Sequence, residues 1–389
     1  MKITIITTAF PYPNRGILGG IERFCENIVL NLKKLGHDVR IVTTFWNGGK
    51  RRDSFYEIPI LRVHDTRSLF GRVGNILLLS HFSFGLNIIR KKNFFFFKDS
   101  DIIIIPVAIG FTRFFKLKKI PIISIFHHYQ NAVSLLEYLY VPVFKYLTKK
   151  QFKMQKNIVV HSYNARLDLI KYLKIKEEYI KLIVDGVNTK IFNPNNYDHE
   201  IKKNYGQNLI FYLGEFYTRK RVPVLLRAMP IVIKEIPDVH LVLIGEGEKH
   251  MLERAKQLAV KLGLQEHISF LGFQKDDVVL KFYATADVFV FPSELEGFGL
   301  VILESMASGT PVICANKPPM NILIGEGGIT FELNNYRDLA QKIIYLLQNR
   351  EILNKLSERS LKVAQKYDSL NIAKYYVEYI KQIKKRLNN

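Results

Sequence analysis

Apolar residues follow two alternating rhythms along this chain. Short runs at Ile3 to Thr8, Val39 to Thr43, Ile102 to Pro106, Pro121 to Phe126 and Asn157 to Val160 have the length and composition of buried strands. Between the first two, Ile21, Phe24, Cys25, Ile28, Val29, Leu32 and Leu35 recur at the helical period, and Gly36 ends the stretch. Strand, helix and strand in this order make a βαβ unit and predict a parallel sheet. The second half repeats the theme with Leu209 to Leu213, His240 to Ile244, Ile268 to Leu271, Asp287 to Phe291 and Val312 to Ala315, with helical patterns between. The expectation is an α/β chain with two doubly wound sheets, whose ligand cleft lies at the carboxyl ends of the strands. The polar, turn-rich Asn193-Pro194-Asn195-Asn196 marks the expected boundary. A last helix, about residues 369–389, carries Ile372, Tyr375, Tyr376, Tyr379, Ile380 and Ile383.

Composition adds limits. At 389 residues and 48% hydrophobic, the chain is long enough for two cores. Cys25 and Cys314 are the only cysteines and have no cysteine neighbours, so neither a disulfide framework nor a zinc site is expected. The start lacks the apolar core of a signal peptide, and no run approaches the ~20 apolar residues that span a bilayer. The expected location is cytoplasmic. Charge is uneven: up to Lys190 there are 31 basic and 13 acidic residues, after it 26 and 22. A basic half suits an acidic partner. Residues 77–98 mix apolar side chains with Arg90, Lys91, Lys92, Lys98 and the run Phe94-Phe95-Phe96-Phe97. Basic residues beside exposed aromatics suit an anionic membrane surface. Nucleic acid is not expected, because no recognition motif accompanies the charge.

Phe291 to Pro311, FPSELEGFGLVILESMASGTP, carries the chemistry. Glu296 and Glu304 stand eight residues apart, with Gly297-Phe298-Gly299 between them at the expected start of a helix. A helix N-terminus attracts phosphate through its N–H groups and partial positive charge, and glycines let backbone approach a ligand. A carboxylate one turn into the helix, among Leu303, Met306 and Ala307, needs hydrogen-bond donors, and ribose hydroxyls are suitable ones. The stretch reads as a site for a nucleoside diphosphate.

This segment closely resembles the E-x7-E region of the retaining glycosyltransferases of family GT4, which have the GT-B fold of two Rossmann-like domains facing a cleft. The resemblance implies that Glu304 holds the donor ribose, that Glu296 lies by the donor sugar, and that Phe298, Gly299 and Leu300 meet the diphosphate. Gly19-Gly20 resembles the family's N-terminal Gly-rich loop, which faces the donor phosphates. His127, after the strand Pro121 to Phe126, matches a histidine that contacts the sugar. Lys220 matches a lysine that neutralises the diphosphate. The companion arginine position holds Glu215, so Arg219 and Arg221 become the candidates for the second cation. Val184-Asp185-Gly186-Val187-Asn188 resembles the family's Asn-Gly-Val-Asp turn with two residues exchanged. GT-B proteins return their final helix to the first domain, which implies residues 1–193 with 369–389 for the acceptor domain and 194–368 for the donor domain.

The expected activity is retaining transfer of a hexosyl group from a nucleotide-diphosphate sugar, UDP- or GDP-linked, to a glycan, lipid-linked or polysaccharide acceptor. Domain closure would exclude water. No cofactor and no metal are expected: Asp99-Ser100-Asp101 looks like a metal-binding Asp-x-Asp, yet it precedes its strand, at the wrong end of the sheet. Two other classes stay open, a non-catalytic membrane-associated partner subunit, motivated by Glu215, and a sugar-nucleotide epimerase of the same fold.

Overall fold

The structure is a computed structural model; it describes residues 1–11, 19–45, 49–66, 77–107, 115, 118–127, 146 and 148–388. His128 and most of the loop before Gly19 lie outside the described residues. The chain divides into two compact units. One runs up to Asp185 and takes in Leu370–Asn389; the other is Gly186–Ser369. The division precedes the expected boundary at Asn193. There the chain forms a turn, Pro194–Asn196, that Asn193 caps by accepting from the Asn195 N–H. A polar, proline-containing stretch can close a turn within a domain as readily as link two.

Among the described residues the first unit holds eight strands: β1 (Lys2–Ile6), β2 (Asp38–Thr44), β3 (Arg52–Phe55), β4 (Ile58–Val63), β5 (Ile102–Ile105), β6 (Ile122–Phe126), β7 (Ile158–Val160) and β8 (Ile180–Leu182). Their spatial order is β3-β4-β2-β1-β5-β6-β7-β8. All neighbours are parallel except the β3–β4 hairpin. Side chains alternate across the sheet. Ile102 and Ile104 join one apolar cluster, with Phe24, Ile28 and Leu32 of the helix Gly20–Lys34 and with Ile372, Tyr376 and Ile380 of the last helix. Ile103 and Ile105 join another on the opposite face, with Phe84, Ile88 and Phe97. Each fully buried Ile contributes roughly 1.5–3 kcal/mol of hydrophobic stabilisation.

The phenylalanine run does not form the exposed aromatic patch expected of it. Phe97 is fully buried, Phe94 and Phe96 pack against the same core, and Phe95 alone is exposed, with the Lys98 ammonium 3.7 Å over its ring. Lys91–Phe94 is a short helix, so residues three apart share a face, and Phe94 and Phe97 meet edge-on. Among the described residues no helix is long and apolar enough to cross a membrane.

The second unit holds β9 (Asn208–Leu213), β10 (Val239–Ile244), β11 (Ile268–Gly272), β12 (Val288–Phe291), β13 (Val312–Ala315) and β14 (Gly328–Phe331). Their order is β11-β10-β9-β12-β13-β14, all parallel. The chain builds outward from β9 to β11 on one side, then restarts at β12 on the other. The sheet therefore reverses its order between β9 and β12, and that crevice is where a doubly wound sheet binds ligands.

Candidate active site

Two loops leave the carboxyl ends of β9 and β12 at this crevice, and they are stitched together. The Glu294 N–H donates to the Arg219 carbonyl at 2.8 Å, and Ser293 Oγ lies 3.2 Å from the same oxygen. On the far side of β9, the Gly245 N–H donates to the Gly272 carbonyl, and the Gly214 N–H to that of Ile244. Gly245 has φ +139°, and an added Cβ would stand 2.2 Å from the Gly214 carbonyl oxygen. Only glycine lets these two loops touch.

At the centre lies Glu296. Its Oε1 accepts from Lys220 Nζ at 2.7 Å, from Arg219 at 3.0 Å and from Ser293 Oγ at 2.6 Å. No described residue donates to Oε2. The Lys220 and Glu296 side chains are 9% and 12% exposed, so the pair sits in a weakly screened environment. Burial lowers the pKa of Lys220, and Glu296 offsets only part of that. Burial alone would raise the Glu296 carboxyl, but Lys220 and Arg219 outweigh it and hold the group below its ordinary range. Arg221 turns elsewhere: it adopts φ +52° and pairs with Glu294. Of the two arginine candidates, Arg219 is the one brought beside Lys220. Glu215 is exposed and adds a small favourable field at Lys220.

The helix Leu300–Ala307 follows. Gly299 caps it at φ +102°, a left-handed conformation that glycine adopts without strain, and no side chain caps it. Its first N–H groups thus keep their attraction for anions. Phe298 and Leu300 are buried. Glu304 is 5% exposed, and its Oε2 accepts from the Tyr283 hydroxyl at 3.0 Å. The Tyr283 phenol, which the motif did not reveal, gives this buried side chain a hydrogen bond.

The remaining candidates belong to the first unit. His127 follows β6; its Nε2 donates to the Pro106 carbonyl at 2.9 Å, and its ring meets His161 edge-on. Gly19 precedes the helix Gly20–Lys34 in extended conformation, φ −160°, and an added Cβ would meet nothing within 4 Å. Neither backbone angle nor crowding requires glycine at 19. Asp185, read as a turn residue, is buried with its carboxylate 3.7 Å from His161 Nδ1. Asp99 and Asp101 stand at the amino end of β5, as their order in the chain implies. Asp99 accepts from Lys2 and Arg40, and Asp101 from Lys384. Among the described residues no three His, Cys, Asp or Glu side chains could hold a metal ion.

Two doubly wound parallel sheets, the second with a cation–carboxylate cluster and a helix start without a side-chain cap at its switch point, define a two-domain Rossmann-like architecture. Residues 194–363 match the family model "Glycosyl transferases group 1", and residues 18–191 match "Glycosyltransferase Family 4". The chain belongs to the GT4-like glycosyltransferases of the GT-B fold. It is 24% identical to an uncharacterized glycosyltransferase of Methanocaldococcus jannaschii over 98% of both chains. It is 25% identical to the alpha-monoglucosyldiacylglycerol synthase of Streptococcus pneumoniae, over 98% of this chain and 86% of that one. Its fold matches Anabaena HepE, solved in complex with UDP-glucose, with TM-score 0.76 at 18% identity over 98% of this chain and 100% of that one.

Proposed function

We propose that this glycosyltransferase moves a hexosyl group, with retention, from a nucleotide-diphosphate sugar to a glycan or lipid-linked acceptor, without a metal ion. The observation that carries the donor reading is the cluster at the switch point, where Lys220 and Arg219 converge on one oxygen of Glu296 and leave Oε2 for another donor. In transfer, the bond between the sugar's anomeric carbon and the diphosphate breaks, and a bond from the acceptor oxygen forms. Negative charge develops on the departing diphosphate. Lys220, Arg219 and the N–H groups at the start of the helix Leu300–Ala307 would stabilise it. Glu296 Oε2 would accept a sugar hydroxyl, and Glu304 would hold the ribose. UDP is the first donor base to try, because HepE binds UDP-glucose.

A lipid acceptor is supported by the relative named for making a glucosyldiacylglycerol. Association with the cytoplasmic face of an anionic membrane rests on the charge of the first half and on exposed Lys91, Lys92, Phe95 and Lys98.

The test is thermal stabilisation by UDP, GDP, ADP and their sugar conjugates. A ligand at ~100-fold its Kd raises stability by roughly 2.7 kcal/mol. A shift with one base, lost in Glu304→Ala, is the expected result. No shift with any of them would overturn the donor reading and favour a non-catalytic subunit.

A further inference from the structure

Ser293 is absent from every role assigned so far. It stands just beyond β12 and is fully buried. Its hydroxyl has three acceptors within reach: Glu296 Oε1 at 2.6 Å, the Arg219 carbonyl at 3.2 Å and the Leu295 carbonyl at 3.4 Å. A hydroxyl carries one proton, and the charged acceptor at the shortest distance takes it.

Three donors converge on Oε1, and they differ in kind. Lys220 and Arg219 are cations, which an incoming diphosphate would also attract. Their hold on Glu296 therefore weakens as they turn to the phosphates. Ser293 is neutral and is drawn far less to a phosphate. A carboxylate is planar, so a fixed Oε1 constrains where Oε2 stands. We infer that Ser293 is a positioning residue that holds Glu296 in register while Lys220 and Arg219 engage the diphosphate, so that Oε2 stays presented to a hydroxyl of the donor sugar. The inference rests on the reading of Glu296 as the sugar contact.

Ser293→Ala, Ser293→Cys and Glu296→Ala test it. The probes are UDP, GDP and ADP and their glucose conjugates. Turnover is read as release of nucleoside diphosphate from whichever conjugate stabilises the wild type. Ser293→Ala is expected to bind the nucleoside diphosphate alone as the wild type does. Its kcat/KM should fall about ten- to a hundred-fold, the range spanned by a hydrogen bond to a charged group, with most of the loss in kcat. Cysteine, a weak donor of similar size, should fall between. In the Glu296→Ala background the Ser293 change should add nothing. Wild-type turnover in Ser293→Ala would overturn the inference. So would an equal loss of nucleoside diphosphate binding, which marks a scaffold role, or additivity with Glu296→Ala. If Glu296→Ala itself turns over normally, or no probe stabilises the wild type, the underlying functional reading fails as well. Impaired Glu296→Ala with normal Ser293→Ala would sink the Ser293 inference alone.

Discussion

Two clusters of ion pairs, alike in composition, sit one at the amino end of the first unit's sheet and one beyond the carboxyl end of the second unit's sheet. In the first unit Asp99 meets Lys2 and Arg40 at the amino end of β5. In the second, Glu296 meets Lys220 and Arg219 at the loops beyond the carboxyl ends of β9 and β12. Lys2 and Asp99 are 49% and 40% exposed, against 9% and 12% for Lys220 and Glu296. Water screens the first cluster, whereas the second holds its charge in a weakly screened crevice. Charged residue types alone therefore do not mark a site. Position in the sheet and burial separate the two clusters, and the Asp-x-Asp that resembled a metal motif belongs to the exposed one, at the amino end of its strand.

Removing the buried cation tests this most severely. Lys220→Ala leaves Glu296 with Arg219 and Ser293 as its partners. Breaking a buried pair costs about 3–5 kcal/mol, and the expected loss is about 3 because Arg219 remains. Chemical denaturation reads that cost. Nucleotide-dependent stabilisation should disappear at the same time, even when Lys220→Ala is assayed at a temperature where it stays folded. A variant with normal stability and normal nucleotide response would erase the distinction between the clusters.

A smaller effect follows from the titration of Glu296. Its carboxyl lies below its ordinary 4.5 in the folded protein, because Lys220 and Arg219 outweigh its burial. A folded value below the unfolded one stabilises fully above about pH 4.5, and that contribution is lost as pH falls through the folded value. The melting temperature of the wild type should therefore fall more steeply below pH 4.5 than that of Glu296→Gln. Parallel curves would show that the pair does not couple to folding.

Much of this arrangement is legible from the residues, and the exceptions have physical causes. β5 and β6 stand out because both of their faces are buried, so they read as unbroken apolar runs. The β3–β4 hairpin does not. Arg52-Asp53-Ser54-Phe55 is largely polar, and its turn uses Tyr56 and Glu57 at φ +46° and +61° with no glycine or asparagine to announce it. β14 opens on a glycine and has only four residues. Lys220 and Glu296 are 76 residues apart, and only the fold makes them a pair. Both were marked by their motifs, but their contact was not. Ser293 carried no signal at all, since a serine before a charged loop is common and its meaning lies in a 2.6 Å hydrogen bond.

The mildest prediction concerns the exposed cluster. Hydrogen bonds from Lys2 and Arg40 hold the Asp99 carboxyl well below its usual range, which by itself suggests a strong interaction. Exposure argues the other way, because solvent and salt screen such pairs to about 0–1 kcal/mol. The screening argument should prevail. Asp99→Asn keeps the shape of the side chain and removes its charge, so stability should drop by less than about 1 kcal/mol, and by less again at high salt. Nucleotide binding, which is proposed for the other cluster, should not change. A loss comparable to that of Lys220→Ala would mean that the amino-edge pairs anchor the sheet, and that exposure is a poor guide to which charges this fold depends on.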